Sequence, residues 1–185
     1  MWYVIQTTTG KEQELVGVIK KLLPAELYES CFFFKRQLLK RLGGHWLEIT
    51  ETLFPAYVFL ETERPEAVFF ALKKIPEFAK LLGDRSLQEN DGMFIPLYLD
   101  EESFLEQLCE EETGRKQDFR LVGLTDVRLS ADGKTEELSG PLSRLQERIE
   151  RMNLRKRYAV VSFSVRGVKQ TTILGIRLRQ SQEGR

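Results

Sequence analysis

Apolar and polar positions along this chain follow two rhythms, and they predict its elements. Trp2-Tyr3-Val4-Ile5-Gln6 is a strand by composition. Leu15, Val16, Val18, Ile19, Leu22 and Leu23 then recur at helical spacing until Pro24 stops them. Thr9 as N-cap, with Glu12 three positions on, fits a capping box for that helix. Cys31-Phe32-Phe33-Phe34 returns to strand composition. From Lys35 to Glu48 the chain is basic and broken by Gly43-Gly44, which predicts a hairpin or long loop.

The run Leu53-Phe54-Pro55-Ala56-Tyr57-Val58-Phe59-Leu60 is apolar at every position and predicts a strand apolar on both faces. It is expected in the same sheet as the first strand. Alternation points Phe54, Ala56, Val58 and Leu60 one way and Leu53, Tyr57 and Phe59 the other. Pro55 donates no ladder hydrogen bond, so that end belongs at an edge or bulge. Such a strand either lies between two layers of its own domain or offers one face to a partner.

Pro65 to Lys74 reads as a second helix with Val68, Phe69, Ala71 and Leu72 as its stripe. Residues 77–82 read as a short strand ending at Gly83-Asp84. A third helix is expected behind Asp100 as N-cap, with Phe104, Leu105 and Leu108 inward and a polar break at Glu110 to Gly114. Beyond the break come short strand-like pieces at 119–122 and 126–129, the hairpin signal Asp132-Gly133, a strand at 158–165, a turn at Arg166-Gly167 and a return at 170–176. Many short strands with glycine turns suggest a small β-barrel. Residues 141–153 are ambiguous, their local pattern favouring a helical turn or two. The fold class expected is α+β, with 1–112 and 119–180 as domains, 113–118 as linker and 181–185 as a disordered tail.

Charge sharpens the division. Of 28 basic and 28 acidic residues, residues 1–117 hold 14 basic against 20 acidic, a net of −6, and residues 118–185 hold 14 against 8, a net of +6. The second half therefore suits a polyanion. Cys31 and Cys109 make neither a disulfide framework nor a metal site. No signal peptide leads the chain and no apolar run approaches membrane-spanning length, so a cytoplasmic protein is expected. His45, the one histidine, sits beside Gly44 in a polar hairpin, and the acidic clusters at 100–102 and 110–112 are explained by capping and solvation. Thr9-Gly10-Lys11 lacks the upstream glycine of a phosphate-binding loop. No catalytic residue, cofactor or metal is expected.

With these residues in hand, the chain resembles the NusG family of transcription elongation factors. Trp2 to Gln6, the Thr9-Gly10-Lys11-Glu12 helix start and residues 53–58 are similar to its NGN domain, although the family usually has Gly where this chain has Ala56. Ser139-Gly140-Pro141-Leu142 and Arg157-Tyr158-Ala159-Val160-Val161 are similar to its KOW domain, an SH3-like β-barrel. Glycines normally follow that Gly-Pro, and here Arg144 and Glu147 stand in the region. The Gly-Pro-Leu with a later Asn-Leu-Arg-Lys-Arg-Tyr-Ala run is most similar to the LoaP-type antiterminators, with RfaH the next comparison.

The resemblance implies a non-enzymatic, monomeric factor whose NGN domain, an antiparallel sheet with helices, packs aromatic residues on the clamp helices of the largest RNA polymerase subunit. By position these are Tyr3, Phe33, Phe54, Pro55 and Tyr57. The expected RNA-binding residues are Arg144, Arg148, Arg151, Arg155, Lys156 and Arg157, clustered beside the barrel and suited to a structured leader RNA hairpin. Were 141–153 helical, Arg144, Arg148, Arg151 and Arg155 would form a basic ridge along one side. The alternatives are a general elongation factor whose KOW domain meets a ribosomal or termination protein, and a free-standing RNA-binding, ribosome-associated module.

Overall fold

The computed structural model of the chain describes residues 1–81, 94–109, 118–165 and 168–179. The expectations at Gly83-Asp84, at Glu110 to Gly114, for most of the 113–118 linker, for the Arg166-Gly167 turn and for the tail from Ser181 lie outside those residues. The elements run β1 (Trp2–Gln6), α1 (Glu12–Leu22), β2 (Ser30–Leu42), β3 (His45–Thr52), β4 (Tyr57–Glu61), α2 (Pro65–Lys73), α3 (Pro76–Leu81), β5 (Ile95–Pro96) and α4 (Leu99–Leu108). Then follow β6 (Phe119–Val122), β7 (Thr125–Leu129), β8 (Thr135–Ser139), α5 (Pro141–Arg144), β9 (Ile149–Asn153), β10 (Tyr158–Val165) and β11 (Val168–Arg179). The fold is α+β. Two compact units divide it, one from residues 1–34, 54–102 and 112–120 and the other from 35–53, 103–111 and 121–185.

In the first unit β4 lies between the start of β2 and β1, and β1 between β4 and β5, all antiparallel. The register sorts the side chains. Ile5, Val58, Leu60, Cys31 and Phe33 share one face, where they pack with Leu15, Val16 and Ile19 of α1, Val68 and Leu72 of α2, and Phe78 and Leu81 of α3. Trp2, Val4, Phe32, Phe34 and Phe59 line the opposite face and are also buried. Their rings meet at 5.0–5.9 Å, mostly edge to face, and the Arg120 guanidinium lies 3.7 Å from the Phe32 ring centroid. The doubly apolar strand thus has cover on both sides.

Four local expectations are corrected. Strand β4 begins only at Tyr57 and is internal to the sheet, while Phe54, Pro55 and Ala56 form the turn that leads into it. Pro55 is harmless there, since no ladder bond is asked of it. The segment expected as a strand at 77–82 is α3, because Phe78 and Leu81 lie three apart and both reach the core from one helical face. The first helix is not capped by Thr9. It starts at Glu12 after Lys11, with no side-chain cap bond, and the Glu12 carboxylate turns back instead to the Gly10 N–H at 3.1 Å. The third helix starts at Leu99, and the Glu101 carboxylate accepts from the Tyr98 N–H at 2.9 Å, so Asp100 lies inside the helix.

In the second unit the outer parts of β2 and β3 form a hairpin across Gly43-Gly44. A five-stranded sheet follows the order β8-β7-β11-β10-β9, with β7 and β11 parallel. It curls: the Thr135 hydroxyl on one end strand reaches Met152 Sδ on the other at 3.8 Å. Val127, Leu142, Leu145, Ala159, Val161, Leu174 and Ile176 fill it. Phe104 of α4 stacks on Phe163 at 4.9 Å between centroids. Gly140, at φ 118°, carries the chain from β8 into α5, and an added Cβ would meet the Leu124 carbonyl at 3.0 Å. The hydroxyl of buried Thr125 accepts from the Leu142 N–H at 3.0 Å.

Candidate protein and nucleic-acid interfaces

The turn before β4 is held from three directions. Thr7 N–H donates to the Ala56 carbonyl at 2.8 Å, Tyr57 N–H to the Phe54 carbonyl at 3.3 Å, and Ala56 N–H to Glu12 Oε1 at 2.7 Å. Glu12 is only 3% exposed, an acid drawn into the fold for these two backbone donors. The turn also requires Ala56 at φ 70°, a conformation that favours glycine. This bracing sets out three neighbouring side chains: Pro55 exposed, Tyr57 39% exposed and Phe54 half-buried, its ring 5.6 Å from Phe34 and 6.0 Å from Phe59.

The two other residues singled out for protein contact sit differently. Tyr3 is buried, stacked on Phe94 at 4.5 Å with its hydroxyl 3.3 Å from Met1 Sδ, and burial pushes its phenol pKa up. Phe33 is a core residue on the helix-covered face, with 2% of its surface left. The structure therefore gathers Phe54, Pro55 and Tyr57 and places Phe33 where a partner finds no ring to touch.

The basic ridge does not form. The helix covers only Pro141–Arg144, a single 3-10 turn follows at Gln146–Arg148, and β9 takes over at Ile149, so the four arginines lie on four kinds of backbone. Leu142 and Leu145 anchor the helical turn in the core, and pairing with β10 then claims the rest. Arg144 donates from Nε to the Gln107 carbonyl at 2.8 Å. Arg148 is half-buried over the Phe104 ring, 5.1 Å from its centroid. Arg151 is exposed on β9, and Arg155 and Lys156 are exposed in the turn between β9 and β10. Arg157, at φ 61°, lies 5.3 Å from the centroid of the Trp46 ring. Of the six cations, Arg144 is exposed at the end of α5, Arg151 on β9, and Arg155 and Lys156 in the turn that follows.

Sequence reasoning placed Glu12 in a capping box but did not foresee its bond to Ala56, and it did not single out Trp46, Glu48 or Arg177. Arg177 bonds Glu48 at 2.7 Å, a pairing between strands that sequence spacing does not display. Among the described residues no three His, Cys, Asp or Glu side chains come together to hold a metal, and no helix is long and apolar enough to cross a membrane.

The molecule is an α+β protein of two compact units with a braced aromatic turn in the first. Residues 1–97 match the family model described as "Transcription termination factor nusG", and the chain belongs to the NusG family of transcription elongation factors, whose members bind RNA polymerase. Similar solved structures include "Domain interaction in Thermotoga maritima NusG", at 14% identity and TM-score 0.42 over 94% of this chain and 92% of that one. Another is "Crystal Structure of MjSpt4:Spt5 complex conformation A", at 15% identity and TM-score 0.32 over 96% and 100%. No curated protein matches the chain.

Proposed function

We propose that this chain is a processive antiterminator of the LoaP type. Residues 1–112 ride on the clamp helices of the largest RNA polymerase subunit, and a KOW domain at 119–180 captures a structured leader RNA hairpin. The observation that carries the reading is the braced turn, which presents Phe54, Pro55 and Tyr57 as a small aromatic patch. Such a patch is a compact anchor for a protein surface, and Tyr57 is 39% exposed. Holding the polymerase in its active conformation makes pausing and termination rarer by population shift.

The RNA arm rests on Arg151, Arg155 and Lys156, which are exposed and close in sequence, with Arg144, Arg148 and Arg157 flanking them. Phosphate contacts supply affinity, and tethering both domains to one transcribing complex raises the effective RNA concentration. The factor acts as a cytoplasmic monomer. Read-through of a terminator by purified polymerase, measured with and without a leader hairpin upstream, tests the proposal. Read-through that depends on both the hairpin and the Phe54-Tyr57 pair supports it. Read-through indifferent to the hairpin leaves a general elongation factor instead.

A further inference from the structure

Within the second unit a cleft of about 310 Å³ is lined by Leu39, Trp46, Glu48, Arg157, Arg177 and Leu178. Its walls are of two kinds. Trp46, Leu39 and Leu178 offer flat or aliphatic surface, and the charged groups are partly matched already. Arg177 donates to Glu48 at 2.7 Å and forms an ion pair with Asp126 at 3.8 Å, and Glu48 also accepts from the Gln37 amide. Arg157 is different. Its Nη1 is buried and finds no hydrogen-bond partner among the described residues, although the guanidinium lies over the Trp46 ring. A buried guanidinium nitrogen without an acceptor is costly, so a donor held this way suits an acceptor that arrives from outside.

Arg157 also occupies strained backbone at φ 61°, and its carbonyl is fixed by the Ile176 N–H at 3.0 Å. The strain turns one residue of the 154–157 turn toward the cleft, while Arg155 and Lys156 beside it remain exposed. Aromatic wall, unmatched donor, carboxylate with spare lone pairs and neighbouring exposed cations together fit one ligand class. We propose that the cleft holds a single unpaired nucleobase of the bound RNA. The base packs against Trp46 and the aliphatic walls, Arg157 donates to its carbonyl or ring-nitrogen acceptors, and Glu48 accepts from an exocyclic amine. The adjoining phosphates lie against Arg155 and Lys156. This rests on the leader-RNA reading and adds to it the residues that select a base.

The test uses the full chain and a hairpin RNA enriched from a random-loop pool by binding to it. Each loop base is then removed in turn, leaving an abasic ribose. One abasic position is expected to weaken binding about tenfold, a typical loss for one stacked base. With Arg157→Gln, or with Trp46→Ala as a second variant, that penalty should shrink to about twofold or less. Because the abasic series leaves the protein untouched, a misfolded variant does not decide the matter. Hairpin binding with no sensitive position overturns the cleft proposal and leaves the RNA reading standing. Failure to enrich any hairpin overturns both. A shift of the Trp46 indole N–H resonance on adding free nucleoside monophosphates, with no abasic penalty, assigns the cleft to a free nucleotide and overturns the RNA assignment.

Discussion

The carboxylate of Glu12 accepts the backbone N–H of Ala56 at 2.7 Å, tying the first turn of α1 to the turn that enters β4. The same oxygen accepts from Gly10. Glu12→Ala leaves two N–H groups without their charged acceptor and should cost about 1–3 kcal/mol, read by chemical denaturation. An unchanged midpoint would mean that water replaces the carboxylate without loss.

Ala56 makes the opposite case. Its φ of 70° strains a side chain that has a Cβ. Ala56→Gly should therefore stabilise the protein by about 0.5–1 kcal/mol, despite the greater freedom glycine has when unfolded. A fall in melting temperature would show that the methyl group contributes packing outweighing the strain.

Phe33 and Tyr57 separate packing from contact. Phe33→Ala empties a core site and should cost about 3–5 kcal/mol. Tyr57→Ala removes an exposed ring and should change stability by about 0.5 kcal/mol or less, while abolishing binding to polymerase in a pull-down with intact protein. Equal losses of stability would place Tyr57 in the core and remove the patch.

How far these features show in the sequence depends on how local they are. Strand β1, α1 and the Asp132-Gly133 hairpin follow from patterns within a dozen residues, and they stand where the pattern puts them. Helix α3 escaped because six residues are too few to display a helical period. The basic ridge failed for another reason. Leu142, Leu145, Ile149 and Met152 do fall at helical spacing, yet β10 offers residues 149–153 a ladder, and tertiary pairing outweighs a weak local preference. Trp46 over Arg157 was not readable at all, since more than a hundred residues separate them. Glu12 illustrates the remaining difficulty: its position was noticed, but its true partner lies in a distant turn.

Cys31 gives a pH signature. Burial pushes its thiol pKa up, so the neutral form is favoured in the folded chain. Unfolded, the thiol ionises near its ordinary value of about 8.5, and stability from this group, complete below that pH, is lost as pH rises above it. The wild type should lose about 1.4 kcal/mol per pH unit more than Cys31→Ala in that alkaline range. Parallel stability curves for the two proteins would contradict this.

Two glycines should respond with opposite signs. At Gly175 an added Cβ would come within 2.5 Å of the Gln37 carbonyl and of Leu124 Cδ2, whereas at Gly17, inside α1, it meets nothing within 4 Å. Gly175→Ala should destabilise by about 1–3 kcal/mol, because a backbone carbonyl cannot step aside as a side chain can. Gly17→Ala should stabilise by about 0.5–1 kcal/mol through helix propensity. Thermal melts of the two variants decide both.

Strand β11 sits at the centre of its sheet, bonded to β7 on one side and β10 on the other. During synthesis it is also the last of the described strands to emerge. Until residue 168 onward is available, β7–β8 and β9–β10 are two ribbons with no seam between them, so any RNA-gripping surface built on this sheet waits for the synthesis of residues 168–179.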